Sequence, residues 1–345
     1  MSFSNPFVSH HGSSWVVVTG GSGDAVCTAA AVVRLLQPDE PRIEVTQADK
    51  VHTLAPQTWP QHSRVVLVGL AVSKPQPTKT KAFLRSLVDN GHELVAIIDE
   101  HARTEWESVL EEVGIDISEL LIEPQSQEHG EFRSAGSVLR RALGANIEPH
   151  IDALLDAADL CDRRAFWDAN IAFYVNACIK SDIKSGQRRV ALIRHFARIL
   201  RKADFMDEWI EEYEVILERH SRIIKDREEL GFGLVRVVID GEVDMTSLTY
   251  DLYSEPVNAR VVMCEGMFFD QEADGKVRKL ALGTDERRLK LFKRLRDSGV
   301  DCTGMDHKPF VKLQDEQRAV EVLLELLRTT EEEDDLIEGT NGNAT

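Results

Sequence analysis

The sequence predicts an α/β fold, with an N-terminal doubly wound parallel sheet, a helical connector and a smaller C-terminal mixed α/β domain. Three observations predict it. Short apolar runs alternate with helical periodicity through about residue 160. The stretch 151–230 then reads almost entirely at helical spacing. Beyond it, Val-, Ile- and Phe-rich runs return at 234–240 and 257–264.

Element by element, a buried strand at 16–19 ends in Gly20-Gly21-Ser22-Gly23, and a helix over 25–36 follows. Strands are expected at 43–46, 65–70, 93–98 and 120–122, with helices over 79–89 and 104–113. Helices over 286–297 and 316–327 complete the second domain. Gly231 and Gly233 bracket Phe232 and mark the expected boundary. The expected divisions are therefore 14–162, 163–230, 231–328 and an acidic disordered tail over 329–345, where Glu331-Glu332-Glu333-Asp334-Asp335 begins a solvated end.

Composition narrows the function classes. The 345 residues carry a formal charge of −18, which opposes independent duplex binding, because phosphate contacts need Lys and Arg. No run approaches a membrane span and the first ten residues lack a signal-peptide pattern, so no membrane partner and a cytoplasmic location are expected. The five scattered cysteines form neither a metal knuckle nor a disulfide framework. Cys27, beside the glycine turn, reads as a packing residue more readily than as a nucleophile. The turn lacks the Lys-Ser/Thr continuation of a P-loop and the full dinucleotide fingerprint.

The chemistry-bearing residues gather at βα turns. Asp24 follows the glycine turn, and Asp99, Glu100 and His101 follow the strand at 93–98. Parallel sheets place ligands at the carboxyl ends of their strands, so both groups can share one rim. A carboxylate beside an imidazole suits Mn²⁺, Fe²⁺ or Zn²⁺. Each aspartate can equally cap the helix that follows it. Glycine turns also bring backbone N–H groups close to an anion. Further phosphate-contact candidates are Arg133 and Ser134 at a helix start, the cationic helix containing Arg287 and Arg288, and His307 in the turn 298–307. A solvated helix face is the competing reading for those cations, and backbone bonding for His307.

On these residues the chain resembles the DHH phosphoesterase superfamily with its trailing DHHA1 domain, over most of 14–327. The first motif, H-x-x-x-D-x-D, falls on Gly20, Asp24 and Val26. The second-motif aspartate falls on Gly69, and Asp-His-His falls on Asp99-Glu100-His101. A later aspartate aligns with Asp159 or, preferably, Asp162, and the glycine-rich GGGGH signature is echoed by Gly299, Gly304 and His307. The resemblance implies two divalent metals in the family. The substituted positions imply instead a non-catalytic homologue with no cofactor, which recognises a partner protein or a short phosphorylated ligand in a nucleic-acid or nucleotide-related assembly. The alternative is a metal-dependent phosphoesterase acting on short oligonucleotides or other small phosphoesters. Its remodelled site would bind Mn²⁺ or another divalent ion through Asp24, Asp99, Glu100, His101 and Asp162.

Overall fold

A computed structural model describes residues 5–7, 12–37, 39–73, 76–125, 134–165, 170–182, 185–241, 243–270 and 275–341. The chain divides into two compact units, Met1–Tyr213 and Glu214–Thr345.

The first unit is built on strands β1 (Trp15–Thr19), β2 (Arg42–Val45), β3 (Arg64–Val68) and β4 (Glu93–Ile98), all parallel, in the order β2-β1-β3-β4. Ile122 adds one parallel bridge to Ala96, where a short strand was expected. Because the strands are buried on both faces they read as apolar runs without alternation. Val17, Val66, Val68 and Ile98 point to one core, and Val16, Val18, Leu67 and Ile97 to the other. Helix α1 (Gly23–Leu35) covers the first face, and α2 (Pro77–Asp89) and α3 (Arg103–Glu111) cover the second. Eleven of the 13 residues of α1 are buried, which suits a helix apolar all round. Pro77 starts α2, and Thr80, Phe83, Leu84 and Leu87 form its buried stripe.

Four more helices complete this unit's first face: α4 (Ala135–Leu143), α5 (Pro149–Arg163), α6 (Asn170–Ser181) and α7 (Gly186–Phe196). This corrects the expected connector over 163–230. Val175, Cys178, Leu192 and Phe196 lie in the same core as α1, and the unit boundary falls inside α8 (Asp207–Lys225). Helical periodicity reports that a face is buried, not which neighbour buries it. The small residues Ala29, Ala30 and Ala31 let several helices approach α1 closely.

The second unit holds a six-stranded mixed sheet, β5-β6-β7-β8-β10-β9, with β5 (Glu228–Gly231), β6 (Leu234–Val238), β7 (Val261–Asp270), β8 (Gly275–Gly283), β9 (Cys302–Met305) and β10 (Lys308–Val311). Only β6 and β7 are parallel, joined through α9 (Met245–Tyr253). The expected linker at 231–233 is a hairpin turn: Gly231, Phe232 and Gly233 all have positive φ. The helix expected over 286–297 begins only at α10 (Leu291–Asp297), because Lys290 at φ +45 breaks the turn of Arg287–Leu289 from it. Helix α11 (Glu316–Asn341) carries the acidic run expected to be disordered. Leu323 and Leu327 anchor its buried start, and Glu has high helical propensity beyond it. Among the described residues no helix is long and apolar enough to cross a membrane.

Candidate functional site

The ends of β1, β3 and β4 are drawn together by backbone bonds between neighbouring turns. Gly20 N–H donates to Val68 O at 2.9 Å, and Gly69 N–H donates to Ile98 O at 2.8 Å. These contacts leave no room for side chains. A Cβ on Gly20 would stand 2.2 Å from Gly69 O, and one on Gly69, whose φ is +53°, would stand 2.6 Å from Ala25 Cβ. Val26 is fully buried in the core against the first sheet face. Gly20, Gly69 and Val26, on which the resemblance placed a His and two Asp, are therefore closed backbone or packed core.

Asp24 lies buried in the first turn of α1. The Ser22 side chain and the nearby backbone of Ala25 and Ala135 favour its charged form. Burial outweighs them and raises its pKa. The N-cap position of α1 is Ser22, so Asp24 sits inside the first turn rather than capping the helix.

Asp99 is completely buried at the end of β4. Trp106 Nε1 donates to its Oδ2 at 2.8 Å, and His101 Nδ1 lies 2.9 Å from Oδ1. The hydrogen bond to Asp99 lifts the His101 pKa to about 9. Glu100 is 8% exposed, and its Oε2 has no hydrogen-bond partner among the described residues. Burial, with the nearby Asp99 and Asp24 charges adding to it, pushes its pKa up to about 8. One ligand atom each from Asp99, Glu100 and His101 falls within 4.8 Å of the others.

The remaining candidates divide between neighbouring roles and separate places. Ser134 is the N-cap of α4: its Oγ accepts from Ser137 N–H and donates to Asp159. Asp159, also paired with Arg140, thereby reaches the start of α4 that Asp24 touches. Asp162, the residue preferred from sequence, is exposed on α5. Arg133 and the Arg287 side chain lie outside the described residues. Arg288 is exposed and paired with Glu286 at 3.2 Å, and His307 sits in the β9–β10 hairpin, where its carbonyl accepts from Thr284 N–H. Both belong to the second unit.

Sequence reading missed three neighbours of the site. Trp106 fixes Asp99 from α3, and Cys161 of α5 lies against Cys27 and Gly23. Arg189 of α7 donates from Nε to Gly21 O at 2.8 Å. Nothing local could have found Arg189, which is 168 positions from its partner.

No protein-family model matches the sequence, and no curated protein resembles it at a significant level. Solved structures do share its fold. A pGpG-specific phosphodiesterase, PggH, from Vibrio cholerae superposes with a TM-score of 0.55 at 12% identity, covering 92% of this chain and 99% of that one. The DHH domain of a member of the s1p family of ribosomal proteins gives 0.53 at 13% identity, with 90% and 85% covered. The exonuclease RecJ bound to manganese gives 0.50 at 10% identity, with 94% and 95% covered. The chain has the fold of the DHH superfamily.

Proposed function

We propose that this DHH-fold chain is non-catalytic and acts by recognition, of a short phosphorylated ligand or a partner protein, in a nucleotide- or nucleic-acid-related assembly. The observation that carries this reading is the closure at Gly20 and Gly69, where neither position has space for a ligating side chain. A two-ion centre needs several fixed oxygen and nitrogen donors around each ion. Here Asp99 is held by Trp106 and His101, Asp24 is buried inside the first turn of α1, and burial pushes the Glu100 pKa up to about 8. These residues do not fit two divalent metals. The −18 charge further argues against a duplex as the ligand.

Metal analysis after Mn²⁺ titration should give no two-ion stoichiometry. Short oligonucleotides, cyclic dinucleotides and pyrophosphate should turn over negligibly. Two tightly bound ions with hydrolysis lost in Asp99→Asn would overturn the reading. The clustering of Asp99, Glu100 and His101 favours a second one: a single divalent cation supporting hydrolysis of small phosphoesters. The cation would have to displace the Glu100 proton, so that reading requires one-ion binding that strengthens as pH rises toward 8.

A further inference from the structure

Beside the carboxyl cluster, the first unit holds a buried cation without a counter-charge. Arg189 is 6% exposed. Its Nε and Nη1 donate to two main-chain carbonyls, Gly21 O at 2.8 Å and Ser185 O at 2.9 Å. Among the described residues no carboxylate oxygen comes within 4.0 Å of the guanidinium, and Nη2 has no hydrogen bond. Asp182 acts on it only electrostatically. Arginine is almost never buried unpaired, because removing its charge from water is costly without a compensating anion.

The guanidinium faces the glycine turn. A Cβ on Gly21 would stand 3.1 Å from Arg189 Nε and 3.6 Å from Nη2, so the absent side chain is what lets the guanidinium lie directly against the turn. The N–H groups of Gly21, Ser22 and Gly23 have no hydrogen-bond partner among the described residues, and Ser22 does not cap α1 with its side chain. Gly21 and Gly23 are half-buried and Ser22 is exposed, so the turn is open to a ligand.

We infer that the Gly21–Gly23 turn and Arg189 form a metal-independent receptor for a tetrahedral oxyanion, the terminal phosphate of a small phosphomonoester. The amides at a helix start favour an anion, and the guanidinium edge supplies donors and the opposite charge. A monoester presents three unblocked oxygens and up to two negative charges, whereas a diester presents two oxygens and one charge. The site therefore selects chain ends or mononucleotides over internal linkages. This inference rests on the recognition reading and supplies its ligand class.

The test is calorimetric titration of the full-length protein in EDTA, at constant ionic strength, with inorganic phosphate, a 5′-mononucleotide and a dialkyl phosphate. Phosphate and the mononucleotide should bind about tenfold more tightly than the diester, the difference expected for one lost charge-assisted bond. Arg189→Lys should weaken both by about tenfold, because a point charge does not reproduce the planar edge. Ser22→Glu places a like charge on the exposed turn without touching the core, and should abolish binding with the fold intact by circular dichroism. Absence of binding to folded wild type, equal affinity for the diester, or unchanged affinity in Ser22→Glu would overturn the inference. If Arg189→Lys does not fold, Ser22→Glu decides. Because metal is chelated, Mn²⁺-dependent turnover beside intact phosphate binding would sink only the non-catalytic reading. Neither turnover nor phosphate binding would remove this site and leave partner-protein recognition.

Discussion

The turns after β1 and β4 close the same edge of one parallel sheet and each carries a buried carboxyl group, Asp24 or Asp99, yet the rest of their chemistry differs. The first offers amide N–H groups and the buried Arg189. The second offers the carboxyl groups of Asp99 and Glu100 with His101. Topology placed both turns where ligands bind, but the helices packed behind them set their character. Helix α7 brings a guanidinium to one, and α3 brings the Trp106 N–H to the other. A shared position in a fold therefore does not fix electrostatics or reaction.

The sharpest way to break this comparison is to act on the strand end between the two turns. Gly69→Asp introduces a carboxylate where the resemblance expects one, but its Cβ would stand 2.6 Å from Ala25 Cβ at a φ of +53°. Overpacking and left-handed strain should together cost about 3 kcal/mol or more. The variant should show a lower urea midpoint and gain no Mn²⁺ affinity. Gly144→Ala, at φ +75° and ψ −157° with nothing within 4 Å of the added Cβ, isolates the backbone strain alone and should lose about 1–3 kcal/mol. A stable Gly69→Asp protein that binds Mn²⁺ would show that the rim can open to a metal.

A smaller effect is expected from the acidic turn's support. Trp106→Phe removes the N–H donated to buried Asp99 and leaves that oxygen unsatisfied, at about 1–3 kcal/mol in chemical denaturation. An unchanged midpoint would mean that His101 alone satisfies Asp99.

The smallest and most diagnostic effect is the pH slope. Glu100 has its folded pKa raised from 4.5 to about 8, so the folded state holds a proton that the unfolded chain has released. Stability from this group is complete below pH 4.5 and is lost as pH rises through 8. One proton changes stability by at most about 1.4 kcal/mol per pH unit. His101, raised from 6.5 to about 9, acts in the same direction over its own window. Melting temperature should therefore fall from pH 6.5 to 8, and Glu100→Gln should flatten the fall. A slope unchanged in Glu100→Gln would assign the titration elsewhere.

Much of the first unit was legible in the chain because its information is local. β4 was expected at 93–98 and is found there, and the glycine turn does open α1. Asp99, Glu100 and His101 are contiguous, so their meeting required only that β4 end where its apolar run ends. Strand β8 and the β9–β10 hairpin were not read, since pairing partners rather than local pattern define them. The cationic stretch at 287–296 suggested one helix, but the positive φ at Lys290 divides it.

Local pattern alone placed the doubly buried strands, the glycine turn with Asp24 after the first of them, and the acidic-imidazole triad after the fourth. Those features depend on residue type and near neighbours. The tertiary structure decided that Gly20 and Gly69 are closed to side chains, that Asp159 rather than Asp162 reaches the start of α4, and that Arg189 stands beneath Gly21. The physical reason is packing: close approach between turns and a buried charge 168 residues from its partner exist only once the helices have settled on the sheet.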